Sequence, residues 1–503
     1  MNQVQKLKLN TIISLVSKIV IMLSGIILPR LILVNFGSEV NGLVNSVTQF
    51  LAVITFLDLG VGSVVQSALY KPLVENDSVQ ISGILKSARN YFQKIGIILI
   101  VYVFILILTY PLIVENNILG YVSTTYLIIS ISISTFAQYY FGIVNELLLN
   151  SDQKGYVQLL AETIVVILNL VLSVIFINLG FSIVTVKFVS SLVILIRPIY
   201  LTFYVNKNYQ INYEITLDDD PLPQKWNGMG QHIAYSIQNS TDIIVLTIFS
   251  TLDSVSIYSV YKMIINAIGL IINSFTMGLQ SFFGNLLASD NLKKLNSYFS
   301  TIEWGLHNLI VFLYAMSAVL IIPFIQIYTQ GVNDADYVVP SFALILVVSK
   351  GIFSLRIPYQ SIVFSAGYFK QTQASSYIEA ILNLSLSLLF VSRLGLVGVA
   401  IGSLIAMSYR LLYLIFFLQK NIIFRSIKKF IKLLIMDIVA FLLIFITGNL
   451  LKNYFSIESY IHWCIFAIAV SMLSFSIIIF LNLCFYRNRV FELIRKNIRW
   501  GQN

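Results

Sequence analysis

LNLVLSVIF at 168–176 and LNLSLSLLF at 382–390 are two copies of one apolar stretch. The likeness continues outward. Arg197 with YLTFYVNKN (200–208) is answered by Arg410 with YLIFFLQKN (413–421). The same offset, 213 or 214 residues, lays LVNFG (33–37) on LTIFS (246–250) and brings Pro111 close to Pro323. Apolar runs resemble one another by chance, but a single offset that also aligns arginines and amides implies an internal duplication. Residues 1–210 and 229–422 are then two equivalent halves, 211–228 is the linker between them, and 423–503 lies outside the repeat.

Composition says where such halves live. The chain has 503 residues, 58% of them hydrophobic and 11% charged, against about 25% charged in soluble proteins. Lipid must cover much of that surface. Fourteen stretches are long enough to cross about 30 Å of hydrocarbon. They run near 11–34, 40–70, 90–113, 122–149, 156–178, 182–205, 229–250, 254–285, 302–328, 338–365, 374–393, 396–418, 430–450 and 461–486. Six spans per half is an even number, so the repeat is parallel, with its pseudo-two-fold axis along the membrane normal. The last two spans and a basic tail follow it. The expected fold is all-α integral membrane, two six-helix bundles plus two helices.

The net charge of +10 does not mark a nucleic-acid partner, because the charges sit in short loops between apolar runs. With the amino terminus cytoplasmic, 22 Lys and Arg fall inside and two, Arg393 and Lys452, fall outside. That bias sets both termini in the cytoplasm. MNQVQKLKLNT runs straight into a span without a small-residue cleavage pattern, so no cleaved leader is expected. Cys464 and Cys484 lie 20 residues apart on one predicted helix, roughly 30 Å along its axis, too far to pair.

Eight basic residues fall inside spans: Lys18, Arg30, Lys187, Arg197, Lys262, Lys350, Arg356 and Arg410. Each costs roughly 2.5–3.5 kcal/mol at the bilayer centre. Arg197 and Arg410, near inner span ends, can anchor at the interface, and Arg30 and Lys187 can reach the outer one. Lys18, Lys262, Lys350 and Arg356 are harder to place. In span 8, Tyr258, Lys262, Asn266, Gly269, Asn273 and Gln280 recur on one helical face. Span 2 carries Asn41, Asn45, Gln49, Ser63 and Gln66 comparably, and span 1 adds Thr11, Ser14, Lys18 and Gly25. These stripes predict a central, hydrated, cationic cavity. Polar packing between helices, with lysines paired to acids, is the alternative. Among acids in spans, Asp58, Glu162, Asp242 and Glu379 are candidates for coupling to H+ or Na+, or for pairing with cations; Glu162 and Glu379 are nearly repeat-equivalent. His232 and His307 have no Cys or carboxylate at metal-ligand spacing, so no metal is expected. No phosphate-cradling Gly-rich loop, nucleophile elbow or paired-histidine motif is present, so neither catalytic residues nor a cofactor are expected.

The stretch LPRLILVNFGSEVNGLVNSVTQFLAVITFLDLGVGSVVQSAL (28–69) resembles the amino-terminal pattern of one family. It holds Pro29-Arg30, a turn at Phe36-Gly37, Gly42, and Asp58-Leu59-Gly60 followed by small residues. The family is the polysaccharide-export branch of the multidrug/oligosaccharidyl-lipid/polysaccharide exporter superfamily. The resemblance implies a V-shaped pair of bundles around a central cavity that alternates between inward- and outward-facing states. It implies a cargo of undecaprenyl-pyrophosphate-linked oligosaccharide, a bacterial cytoplasmic membrane, and other polysaccharide assembly proteins as partners. It also adds Arg30 to the cavity set of Lys18, Gln49, Lys262, Asn266, Asn273, Lys350 and Arg356. Span 2 is uncharged apart from Asp58, unlike members specialised for the peptidoglycan precursor, which favours a capsule, O-antigen or other glycan unit. An ion-coupled multidrug exporter of the same superfamily is one alternative. A membrane glycan polymerase or ligase is another, although the outside loops are all short.

Overall fold

A computed structural model describes residues 3–58, 60–114, 119–215, 229–288, 292–487 and 489. Most of the linker and of the basic tail lies outside them, as does the side chain of His232. Every regular element described is helical. In order these are α1 (Gln3–Ala52), α2 (Val61–Glu75), α3 (Ser78–Ile113), α4 (Gly120–Ala137), α5 (Ile143–Ser151), α6 (Gly155–Asn178), α7 (Ile183–Asn208) and α8 (Met229–Phe249). There follow α9 (Leu252–Thr276), α10 (Leu279–Ala288), α11 (Leu292–Tyr328), α12 (Pro340–Leu355), α13 (Ile357–Ser365), α14 (Phe369–Asn421), α15 (Lys428–Lys452) and α16 (Tyr460–Phe485). Helices are the expected solution, since lipid offers no partner to a peptide group. Where helices start in water, side chains supply the missing acceptors: Asp77 accepts from the backbone of Val79 and Gln80, and Ser182 from Thr185.

The described residues contain 11 helices long and apolar enough to cross a membrane, against the fourteen of the sequence reading. The difference has three sources. α1 and α14 run for 50 and 53 residues, more than twice the ~20 needed for one crossing. Each is broken at a glycine with positive φ, Gly37 (φ 85°) and Gly395 (φ 52°), a conformation that only glycine adopts without strain. The third is α8, whose Gln238, Asn239, Ser240, Thr241 and Asp242 dilute its apolar character.

The chain divides into two compact units, residues 1–259 with 331–335, and residues 260–330 with 336–503. In the first, Val47, Leu69, Phe92, Tyr110 and Leu148 are fully buried in a continuous core, with Phe50 edge-on to Tyr110. Asp334 reaches into this unit and accepts from both the backbone N–H and the hydroxyl of Ser38, at 2.6 Å each, capping the helix that restarts after Gly37. Five residues on, Gly42 lies against Leu252 so closely that a Cβ would stand 1.9 Å from the Leu252 carbonyl oxygen.

In the second unit, the limbs of α14 fold onto each other about Gly395. A Cβ on Gly398 would lie 2.4 Å from the Phe390 carbonyl oxygen, and Asn383 donates to Ser403 at 2.8 Å. α15 and α16 pack on α11 through Val311, Leu433, Met436 and Leu481 at one level and Val319, Leu320, Phe466 and Val470 at another. Gly448 meets Val319, where an added Cβ would come within 2.7 Å of a methyl group.

Gly42→Ala should destabilise the protein by about 1–3 kcal/mol, because backbone rather than a flexible side chain must yield. Gly269→Ala, where a Cβ meets nothing within 4 Å, should be neutral or slightly stabilising. Thermal unfolding of the two variants in detergent checks the contrast.

Candidate functional site

In the first unit, Lys18 and Arg30 are half-buried on α1. Lys18 makes no ion pair to another described residue, and the helix face it shares with Thr11 and Gly25 is open: both are exposed, and nothing lies within 4 Å of a Cβ built on Gly25. The polar positions further along α1 are spent on helix packing. Asn41 donates to Ser256 at 2.7 Å, Gln49 to Ser240 at 2.9 Å, and Ser46 receives the hydroxyls of Tyr110 and Thr247 at 2.8 and 2.9 Å. Asp242 is buried and accepts from Tyr258 at 2.6 Å. Asp58, half-buried, closes a short 3-10 segment, 53–58.

Glu162 belongs to an ion cluster. Arg197 on α7 lies 2.9 Å from Glu146 and 3.7 Å from Glu162, and Gln138 donates to Glu146 at 3.0 Å. Gln138 opens a π-helical turn, 138–142, between α4 and α5. Arg197 therefore ties α5, α6 and α7 together. The sequence reading had it snorkelling to the interface.

In the second unit, the stripe on α9 divides. Tyr258, at its start in the first unit, turns inward to Asp242. Beyond it Lys262 and Gly269 are half-buried, while Asn266, Asn273 and Gln280 are exposed along a membrane-length segment, Leu252–Ala288. Lys350 on α12 is half-buried, with its ammonium 5.7 Å from the ring of Phe353. Arg356 stands apart from these. It is 4% exposed, lies 3.9 Å over the same ring and pairs with Glu379 at 2.5 Å. Arg410, buried too, approaches the other Glu379 oxygen at 3.7 Å, donates to the Thr372 carbonyl at 3.0 Å and bonds the Ser375 hydroxyl. Each unit thus holds a Glu–Arg pair, Glu162–Arg197 in the first and Glu379–Arg410 in the second.

One constellation escaped the sequence reading. Glu303 and His307 on α11, Tyr359 on α13, Arg425 ahead of α15 and Asp437 on α15 form a continuous buried chain. His307 Nδ1 lies 2.6 Å from Asp437 and Nε2 lies 3.0 Å from the Tyr359 hydroxyl. Tyr359 donates to Glu303 at 2.6 Å, and Arg425 grips both Glu303 oxygens. Burial works against the charge on Arg425, but the hydrogen bonds and charge of Glu303 prevail and hold its pKa above the ordinary value. The available signal was the i, i+4 spacing of Glu303 and His307, which puts both on one face.

No family model matches the chain, and no curated protein matches it by sequence. Solved structures do match. The lipid II flippase MurJ, in an inward closed conformation, superposes with a TM-score of 0.70 at 17% identity, over 96% of this chain and 99% of its own. An inward-facing multidrug resistance MATE family transporter of the MOP superfamily gives 0.66 at 15% identity, over 82% and 99%. A MOP superfamily transporter from Pyrococcus furiosus gives 0.53 at 17% identity, over 84% and 94%. The chain has the MOP-superfamily transporter fold.

Glu379→Gln strands two buried guanidinium groups and should cost about 3–5 kcal/mol. Adding Arg356→Met should restore part of that loss. Denaturation followed by tryptophan fluorescence measures both; a Glu379→Gln protein as stable as wild type would show that the arginines do not depend on this carboxylate.

Proposed function

We propose that the chain is a transporter that moves an undecaprenyl-pyrophosphate-linked oligosaccharide unit across the bacterial cytoplasmic membrane by alternating access, for capsule, O-antigen or another surface glycan. The observation that carries this reading is the exposed polar stripe that runs along α9 into α10. Asn266, Asn273 and Gln280 face outward on a segment of membrane length. Hydrocarbon does not accept unpaired amides, so this face meets water or cargo. Lys262 on the same stripe, Lys350 on α12, and Lys18 and Arg30 on α1 give the transport path a positive character suited to a pyrophosphate and to acidic sugars. Arg356, closed in by Glu379 and Phe353, contributes to holding α12–α14 rather than to first contact with cargo.

Two further observations favour a lipid-borne cargo over the exporter alternative. Residues 423–503 are about one sixth of the chain. A match over 96% of it must include most of them, whereas the 82% and 84% matches need not. The neighbour that covers 96% of the chain is named as a lipid II flippase. An exporter of organic cations also calls for accessible carboxylates, yet Glu162 and Glu379 are held by arginines and Asp242 is buried against Tyr258. Those carboxylates and Asp58 remain the alternative coupling positions for H+ or Na+.

The test is reconstitution of the full chain in liposomes with a fluorescent undecaprenyl-pyrophosphate sugar, scored by loss of accessibility to a membrane-impermeant quencher. Wild type should translocate the probe. Lys262→Ala with Lys350→Ala should reduce the rate at least tenfold with thermal stability unchanged. A wild-type rate equal to that of empty liposomes overturns the flippase reading, and an undiminished double variant overturns the role of the lysines.

A further inference from the structure

We propose that the second unit carries a proton-binding site of its own, shared between His307 and Asp437, separate from Asp58, Glu162, Asp242 and Glu379. The hydrogen bonds of the cluster require one proton there. Arg425 donates to both oxygens of Glu303, so Glu303 is a carboxylate and can only accept. Tyr359 therefore gives Glu303 its one hydroxyl hydrogen, across 2.6 Å. Toward His307 the Tyr359 oxygen can then only accept, so Nε2 carries a hydrogen across that 3.0 Å contact. On the other side, Nδ1 lies 2.6 Å from an Asp437 oxygen. A neutral imidazole protonated at Nε2 has a bare Nδ1, and a bare nitrogen facing a carboxylate oxygen leaves two acceptors in contact. The pair closes only with one additional proton, placed either on Nδ1 or on the Asp437 oxygen.

Charge leads to the same count. Glu303 and Arg425 cancel. Asp437 is left with one negative charge at 4% exposure, beside a His307 that is fully buried. The proton makes the cluster neutral, and in a low-dielectric site neutrality is strongly favoured. Among the described residues, no Lys or Arg forms an ion pair with Asp437. The titratable and charged groups that reach the pair are Glu303 on α11, Tyr359 on α13, Arg425 ahead of α15, and Tyr486 beyond α16, with Lys432 and Arg489 near the Tyr486 ring. The recess beside Tyr359 and Arg425 is lined from α14 by Ile415, Leu418 and Gln419.

A water-sized recess lies on the Tyr359 side of this pair. Bordered by Tyr359, Gln419, Arg425 and Ser426, it has about 10 Å³ of room for water, close to what one molecule needs. Beyond the pair, the second Asp437 oxygen is buried and has no hydrogen-bond partner, and Asp437 borders a further recess with Asn308 and Asn482. An orphaned carboxylate oxygen there is an acceptor held in reserve. Asp437 lies nine residues into α15, about 14 Å along it, roughly half the depth of the hydrocarbon. Arg425, Tyr359 and His307 thus lead from the basic end of α15 to mid-membrane. Removing the proton leaves an uncompensated charge where α15 joins α11, so protonation biases how α15 and α16 seat on the rest of their unit.

The chain has three histidines, so 15N-histidine labelling of the full chain in lipid gives three pairs of ring-nitrogen resonances, and His307→Gln assigns one pair. The expected result is a doubly protonated His307, or one sharing its proton with Asp437, throughout pH 6 to 8. Asp437→Asn should leave His307 a neutral single tautomer in that range. If that variant does not fold, Tyr359→Phe takes away the acceptor at Nε2 and should also shrink the protonated fraction. A wild-type His307 that is a neutral single tautomer from pH 6 to 8 overturns the proposal, as does a protonated fraction that neither variant moves. No cargo enters this measurement, so its failure is distinct from failure of the flippase reading.

Discussion

A guanidinium in hydrocarbon has to be met by a carboxylate from its own protein, and this requirement organises both units. Arg197 holds Glu146 and Glu162; Arg356 and Arg410 hold Glu379; Arg425 holds Glu303. In a medium of low dielectric an unmet partner is far more costly than the pair is stabilising. The pairs therefore act as constraints on register rather than as sources of net stability. Arg197 fixes α7 against α5 and α6, and Glu379 fixes one limb of α14 against the other while drawing in the end of α12. Each unit thus holds an arginine and a glutamate with a third member, Glu146 in one unit and Arg356 in the other, and the two clusters carry opposite net charge.

The fold was legible because a membrane leaves so few choices: apolar length alone nominates helices, and short loops alone connect them. What hydropathy cannot see is a break one residue long. Gly37 and Gly395 interrupt helices without interrupting the apolar run, and the cap that restarts α1 after Gly37 comes from Asp334, 296 residues away from Ser38. The site was legible in part for a similar reason. Periodicity located the stripe on α9, because a polar face on a membrane helix is visible from spacing. It could not tell which polar groups are spent on neighbours. Asn41 and Gln49 read like Asn266 and Asn273, yet the first two bond to Ser256 and Ser240 while the others stand exposed. Glu303 lay at the edge of its span and Asp437 stood alone in its own, so neither suggested the other.

Together these placements separate two uses of polarity. One set of groups is consumed inside the units and gives them their shape. The other, on α9 and on the amino-terminal part of α1, is left for solvent and solute. Lys18 belongs to the second kind, Arg356 and Arg410 to the first.

The chain joining Glu303 and His307 to Arg425 and Asp437 also has a meaning in time. The first two are made more than a hundred residues before their counter-ions. During synthesis α11 enters the bilayer with a carboxylate and an imidazole that have nothing yet to bind, and the helices between bring only Tyr359. α15 is therefore the piece that completes the charge balance of a helix already inserted. The segment that follows the two halves thus supplies the counter-charges that α11 lacks.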